Sequence, residues 1–373
     1  MSSAITPVTM PKWGLSMTEG TVVSWLAHEG DRISVSQDLV EIETPKITNV
    51  CEAPETGTLR RIVATPGENL PVGALLAVMA EPAVGDAEID AFVARFQQDF
   101  VPADEDSATA APTPQSVDVN GLRISYLAVG SGPGTPVVLV HGFGGDHNNW
   151  QMNQAALASG RQVLAPDLPG HGASAKTVPE GGIEGLADFV AAWMDAVGVA
   201  RAHLVGHSLG GAVALALALR QPARAASLTL VAPAGFGPEI NAAFIDAFRA
   251  ADKRRAMKAA VEYLFADSHL ITSELVEDLL KYKRLDGVAA ALDALVAGCF
   301  PQGRQATVLA ARLGELKMPW QVIWGDADRV LPATQAEAAP ALQRHLLAGA
   351  GHMVHLERAD EVNRLIEAIA ASA

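Results

Sequence analysis

The chain has 373 residues, enough for two or three domains of ~150 residues or for one large domain with an appendage. Its formal net charge of −15 excludes nucleic acid and anionic membrane surfaces as general partners. A hydrophobic content of 49% against 18% charged residues excludes wholesale disorder, and two cysteines, Cys51 and Cys299, exclude a disulfide framework or a cysteine-built zinc site.

The start, MSSAITPVTMP, has no basic residue ahead of an apolar run, as a signal peptide would. No apolar stretch approaches the ~20 residues of a membrane helix. A soluble, cytoplasmic protein is expected.

From residue 1 to about 82, short apolar runs alternate with turn signals. Thr21–Leu26, Leu39–Glu43, Thr58–Val63 and Leu75–Met79 read as strands. Glu29-Gly30-Asp31, Thr44-Pro45-Lys46, Pro54-Glu55-Thr56-Gly57 and Thr65-Pro66-Gly67 read as turns. Many short strands at close spacing predict a small all-β sandwich or barrel. Lys46 falls at a hairpin tip, where a modifying enzyme reaches it and an attached arm can swing. A solvated turn lysine would look the same in isolation.

Residues 83 to about 114 read as a linker, with Pro102 through Pro114 rich in Pro, Ala, Ser, Thr and acid. A 30-residue coil of this kind would span on the order of 30 Å. Within it, Ile89, Phe92, Val93, Phe96 and Phe100 recur at helical spacing behind Asp86 and Glu88. An isolated helix this short is marginal, so its apolar face should dock. It docks either on one of the chain's own domains or on a partner.

Residues 115–373 alternate strand and helix. Ser116–Val119 and Arg123–Val129 flank the hairpin turn Asn120-Gly121. Pro136–Val140, Gln162–Ala165, His203–Val205, Leu228–Val231 and Trp320–Trp324 follow as strands. Helices are predicted over about Ile183–Val197, Ser208–Arg220 and Asp360–Ala371. Continuous apolar strands with helical crossovers make a mostly parallel sheet covered on both faces. From about Phe236 to Glu315 the pattern is helical with no strand, where a lid would sit.

Gly206-His207-Ser208-Leu209-Gly210 matches G-x-S-x-G, directly after a strand and opening a helix, the context of a nucleophile elbow. Serine needs a base. His352, in the loop Ala348-Gly349-Ala350-Gly351-His352, is placed to supply it, and His355 is its competitor. Asp326 and Asp328 are both candidate acids after a strand. The pattern W-G-x-x-D-x-x-x-P, ending at Pro332, favours Asp328, with Asp326 nearer the strand end as a turn cap. His141-Gly142-Phe143-Gly144-Gly145 follows a strand, so the N–H groups of Phe143 and Leu209 are candidate oxyanion donors. Asp167 and His171 read as structural. His141 and His147 lack a sensibly spaced third ligand, so no metal is expected.

Taken in order, Met10-Pro11-Lys12-Trp13-Gly14, Thr18-Glu19-Gly20, Glu29-Gly30-Asp31, Glu41 through Lys46 and Pro54 through Gly57 resemble the lipoyl domain of 2-oxoacid dehydrogenase complexes over about residues 5–81. That resemblance implies lipoate in amide linkage on Lys46, attached by a lipoate ligase or lipoyl transferase. The family more often has Asp before its lysine, where this chain has Pro45. Biotinyl domains flank their lysine with methionines, unlike Pro45 and Ile47. Residues 116–372 resemble the α/β-hydrolase fold, whose order Ser, Asp, His is repeated here. The expected architecture is therefore an N-terminal all-β lipoyl-type sandwich (a barrel-sandwich hybrid) joined to a C-terminal α/β-hydrolase fold with a helical lid.

The His-x-x-x-Asp-Gly pattern of lipoyl-fed acyltransferases is absent from the sequence. The fusion instead resembles the family of dihydrolipoamide acetyltransferase components of bacterial acetoin dehydrogenase complexes. This implies acetyl transfer to coenzyme A, a thiamine-diphosphate-dependent acetoin dehydrogenase component and a dihydrolipoamide dehydrogenase as partners. The peripheral-subunit-binding domain usual in the lipoyl-fed acyltransferase family is not recognisable, and the Asp86–Phe100 helix is the one candidate for its role. A plain ester, thioester or carbon–carbon hydrolase tethered to a lipoyl carrier is the alternative. Lys253, Arg254, Arg255 and Lys258, the densest basic cluster, are candidates for the coenzyme A phosphates, although an ordinary solvated helix face carries the same charges. A homo-oligomer is compatible with the sequence, which does not determine oligomeric state.

Overall fold

A computed structural model of the chain describes residues 5–13, 17–35, 37–44, 48–100 and 112–373. The chain divides into two compact units, Met1–Ala111 and Pro112–Ala373.

The first unit holds strands β1 (Ile5–Thr9), β2 (Glu19–Trp25), β3 (Arg32–Ile33), β4 (Asp38–Glu43), β5 (Thr48–Glu52), β6 (Gly57–Ile62), β7 (Asn69–Pro71) and β8 (Leu75–Ala80). They form two four-stranded sheets, ordered β1-β8-β6-β3 and β5-β4-β2-β7. β4 buries Leu39, Val40 and Ile42 completely, and Ile33, Leu59 and Leu76 on β3, β6 and β8 are buried as fully. β4 and β5 pair antiparallel, with Glu43 opposite Thr48. Lys46 belongs to the connection between that pair and lies outside the described residues, as do Pro45 and Ile47.

The helix expected within residues 83–114 is present as α1 (Asp86–Asp99), and of its two expected docking partners it takes one of the chain's own domains. It is part of the first unit. Ile89 is fully buried among Leu75, Val78, Ala80 and Val84, with Phe92, Val93 and Phe96 packed alongside. Polar ties fix its start. Arg60 donates to the carbonyls of Glu81 and Val84 and to Asp86 at 2.7 Å, and Arg61 reaches Asp90 at 2.5 Å. The apolar face of α1 is covered by the unit's own sheet, so it is not a free surface for a partner.

The second unit carries β9 (Gln115–Val119), β10 (Leu122–Val129), β11 (Gly134–Val140), β12 (Arg161–Pro166), β13 (Ala202–His207), β14 (Ala225–Val231), β15 (Trp320–Gly325) and β16 (Arg344–Leu347). They form one eight-stranded sheet in the order β16-β15-β14-β13-β11-β12-β10-β9. Asn120 and Gly121 both adopt positive φ, 54° and 80°, as a tight β9–β10 hairpin requires. β10 runs antiparallel to both its neighbours, and the strands from β12 to β16 are parallel. Helices α2 (Gln154–Leu157), α3 (Gly182–Ala196), α4 (Leu209–Arg220), α9 (Val354–Glu357) and α10 (Ala359–Ala371) accompany the sheet. Between β14 and β15 the chain inserts a cap of α5 (Ala242–Ala250), α6 (Arg254–Val261), α7 (Ser273–Lys283) and α8 (Val288–Cys299). Val137, Leu139, Val205, Val231 and Ile323 bury the sheet centre. No helix among the described residues is long and apolar enough to cross a membrane.

Truncating Ile89 to Ala should weaken the docking of α1 by about 2–4 kcal/mol through the lost burial and the residual cavity. Amide exchange over residues 86–99 should then rise while exchange in α4 stays unchanged. Unaltered exchange over 86–99 would show that the helix is held by something other than its apolar face.

Candidate active site

The site is built where β13 turns into α4. Ser208 sits between them at φ 53° and ψ −119°, outside the regions an ordinary L-residue favours. Four backbone bonds hold it there. Its N–H donates to Val231 at 3.0 Å, and its carbonyl accepts from Gly211, Ala212 and Ala234. Small neighbours are obligatory. A Cβ on Gly206 would overlap the carbonyl oxygen of Gly210, and one on Gly210 would overlap those of Val140 and His141.

His352 lies in the loop between β16 and α9. Its Nδ1 meets Asp328 Oδ2 at 2.8 Å, and the two side chains are 2% and 0% exposed. Asp328 Oδ1 accepts from the N–H groups of Val330 and Leu331, at 2.7 and 3.0 Å, and Oδ2 also accepts from Trp324 Nε1 at 2.9 Å. The carboxylate is thus fixed on every side, and the imidazole is held with Nε2 as the nitrogen available to a hydroxyl. Asp326 instead accepts from Gly349 N–H at 2.8 Å and ties down the loop. Of the two candidate acids, Asp328 is the one that meets the imidazole.

His207 links the two halves of the site. Burial, and next the neighbouring His355 and His352, push its pKa well below the ordinary 6.5. Its neutral ring can donate from Nε2 to the carbonyl of His352, 3.0 Å away. The ring lies 4.7 Å from that of His352 and 4.5 Å from that of His355, and Trp150 lies against His355 with centroids 4.5 Å apart and the rings tilted by 40°. His355 is therefore part of a buried aromatic pile under the base. Sequence reasoning passed over His207 because a residue inside the serine motif reads as filler. Its offset of one from Ser208 was the available signal.

Phe143 follows β11. A Cβ on the preceding Gly142 would come within 3.0 Å of Ser208 Cβ, so this loop runs close against the elbow. Leu209 opens α4, fully buried, with its N–H in the unpaired first turn. Both predicted oxyanion donors are thus beside Ser208 in the chain path. The Phe143 ring packs edge-on against two cap rings, Phe248 at 5.8 Å and Phe300 at 6.2 Å. These two cap residues carried no sequence motif.

Asp167 and His171 hold the neighbouring loop. Asp167 accepts from His147 N–H and pairs with its Nδ1 at 2.8 Å. Burial would raise its pKa, but the hydrogen bond and charge of His147 outweigh it and hold the carboxyl at about 2. His171 packs edge-on to His141, with ring centroids 4.8 Å apart. Among the described residues no group of three metal-ligating side chains occurs.

Lys253, Arg254, Arg255 and Lys258 are exposed at the start of α6. Arg254 is turned to α7, donating to Ser273 Oγ at 2.6 Å with Glu277 at 3.9 Å. The described residues show no bond from these four to Ser208, His352 or Asp328.

A serine on an elbow above a parallel sheet, with a buried Asp–His pair on the loops that follow the next strands, defines the α/β-hydrolase class of enzyme. Residues 135–359 match the family described as alpha/beta hydrolase fold, and residues 6–79 the family described as biotin-requiring enzyme, with its lipoyl relatives. The chain is 47% identical over 362 residues, 97% of each chain, to the dihydrolipoyllysine-residue acetyltransferase component of the acetoin cleaving system of Pseudomonas putida. To the protein of the same name from Cupriavidus necator it is 46% identical over 368 residues, 98% of each. The chain belongs to this family of acetyltransferase components. The second unit also resembles the meta-cleavage product hydrolase of Pseudomonas fluorescens IP01, with a TM-score of 0.61 and 26% identity over 68% of this chain and 96% of that one.

Burial pushes both His171 and His355 down to about 3. In the unfolded chain they take up protons near their ordinary 6.5. The unfolded state then binds more protons, so stability is full above that pH and is lost as pH falls below it. At pH 5 each costs about 2 kcal/mol. Glu357, whose carboxyl is pushed up by burial, offsets part of this. The melting temperature of the second unit should drop between pH 7 and pH 5, and a flat profile in calorimetry would contradict this account.

Proposed function

We propose that the chain moves an acetyl group from the dihydrolipoyl arm on Lys46 to coenzyme A, through an acyl-serine on Ser208. The observation that carries the reading is the buried 2.8 Å bond between His352 Nδ1 and Asp328, on loops that share the site with the strained serine. The antiparallel pairing of Glu43 with Thr48, which brackets Lys46, suits a lysine presented to a modifying enzyme. The lipoyl group, when attached, supplies a thiol that carries acetyl as a thioester on a long arm.

The chain's own residues do the rest. His352 Nε2 takes the proton of Ser208 as Oγ attacks the acetyl carbonyl. The N–H groups of Phe143 and Leu209 stabilise the oxygen that becomes negative. Asp328 keeps the imidazole in the tautomer that accepts at Nε2 and stabilises the imidazolium. His352 then returns the proton to the departing sulfur. In the second half-reaction His352 takes the thiol proton of coenzyme A, whose sulfur attacks the acyl carbonyl, and gives that proton to Ser208 Oγ as the acyl–oxygen bond breaks. Acetyl leaves as the new thioester, and every proton is accounted for.

Within an acetoin cleaving system, acetyl would be supplied by a thiamine-diphosphate-dependent component and the arm reoxidised by a dihydrolipoamide dehydrogenase. Lys253, Arg254, Arg255 and Lys258 remain our candidates for the phosphates of coenzyme A, and a cytoplasmic setting agrees with the need for that co-substrate.

Ser208→Ala should lower acetyl transfer from acetyl-dihydrolipoamide to coenzyme A by roughly 10⁴-fold or more, and Asp328→Asn by about 10³–10⁴-fold. Transfer at full rate in Ser208→Ala would remove the acyl-serine. Lys46→Arg should abolish the lipoyl mass increment of the intact protein while leaving transfer from free acetyl-dihydrolipoamide unchanged. Persistence of the increment would place the arm elsewhere. Free acetate as the main product of the wild type would favour the hydrolase alternative.

A further inference from the structure

Glu357 is a buried carboxylate that the reaction scheme does not use. It ends α9, five residues past His352, and is 6% exposed. One oxygen accepts from the N–H groups of Ala266 and Asp267, at 2.7 and 3.4 Å, and the other from Gly351 N–H. Ala266 and Asp267 belong to the cap, in the turn between α6 and α7. Gly351 is the residue just before His352. The carboxylate therefore joins the cap to the base loop across 91 positions of sequence.

Two further contacts repeat the same connection. Met353 N–H, on the other side of His352, donates to the cap carbonyl of Leu264 at 3.0 Å. A Cβ on Gly351 would overlap the backbone of Leu264 and Ala266, so the loop and the cap turn approach to backbone contact. From the acid side, Arg329, which follows Asp328, donates to Phe265 O at 2.7 Å and to the carbonyl of Glu262. One short turn, residues 262–267, thus has the N–H groups of Ala266 and Asp267 bound by Glu357, the carbonyl of Leu264 by Met353, and the carbonyls of Glu262 and Phe265 by Arg329.

We propose that Glu357 and Arg329 clamp the cap turn 262–267 onto the loops of His352 and Asp328, and that Glu357 is a positioning residue for His352. A buried carboxylate is a costly way to fill space. Here its two oxygens satisfy three backbone donors from two elements, which no apolar side chain could do. The same cap holds Phe248 and Phe300 against Phe143. Seating the cap and placing the base are therefore one event. With the clamp closed, His352 is aligned and water is kept from the acyl-serine. With the clamp broken, the base loses alignment and the acyl group is open to hydrolysis. The inference rests on the acyl-serine reading above.

The test uses the full chain with acetyl-dihydrolipoamide and coenzyme A, and measures acetyl-CoA and free acetate together. Glu357→Gln keeps the shape but turns one acceptor into a donor facing an N–H. It should lower kcat for transfer about tenfold, leave KM for acetyl-dihydrolipoamide within about twofold, and raise the ratio of acetate to acetyl-CoA at least fivefold. Arg329→Met, at an exposed position and less exposed to misfolding, should raise the same ratio in the same direction. A merely structural role would lower the amount of active protein without moving the product ratio or kcat per labelled serine. Either variant, folded by circular dichroism and giving the wild-type ratio, would overturn the clamp. Labelling of Ser208 by a fluorophosphonate in the wild type separates the two readings. An unlabelled Ser208 sinks the acyl-serine, whereas a labelled Ser208 with unmoved ratios sinks only the clamp.

Discussion

The second unit depends on one strained residue. Ser208 at φ 53° and ψ −119° costs of order 1–3 kcal/mol and persists only because its surroundings over-determine it. Gly206 and Gly210 let β11, β13 and α4 close to backbone contact around it. Val231 and Ala234 bind its peptide groups from β14 and the loop beyond. The two strands that flank β13 in the sheet each contribute to the turn, β14 a bond through Val231 and β11 a wall through Val140. The outcome is a hydroxyl lifted to the carboxyl end of a parallel sheet, where loops from β11, β15 and β16 converge.

Those loops are not equally rigid by composition. The loop after β16 is rich in Ala and Gly and could not hold an imidazole by itself. Its order is borrowed. Asp328 fixes the ring, His207 meets the carbonyl of the same residue, and the cap turn holds the residues on either side. The base is therefore positioned by long-range bonds, while the nucleophile is positioned by local sterics.

That division explains what was legible beforehand. Ser208, His352 and Asp328 were readable because strand-turn-helix punctuation and loop glycines are local signals. The preference for Asp328 over Asp326 came from spacing alone, and the hydrogen bonds of the two carboxylates separate them in space. The strands of the second unit were visible as continuous apolar runs, whereas two- and three-residue strands such as β3 and β7 have too little sequence to show a period. The helical periodicity of α1 was plain, but its attachment was not. Arg60 and Arg61 lie 26 and 29 positions before their acidic partners, and nothing in a one-dimensional pattern pairs them. Glu357 and the cap phenylalanines carry no signal for the same reason, since each acts on a residue brought close only by folding. Lys46, read from a string of motifs, lies outside the described residues.

The docking of α1 alters how delivery should be pictured. Fourteen residues that a linker would have contributed to reach are instead part of the carrier unit. The carrier thereby gains a wall over one of its sheets. What the enzyme must then guard against is water, present at far higher concentration than any thiol. Stabilising the oxyanion does not discriminate between the two nucleophiles, because both half-reactions share it. Discrimination has to come from what can enter, and the cap, which rests on Phe143 and on the loops of the Asp–His pair, is the element placed over that site.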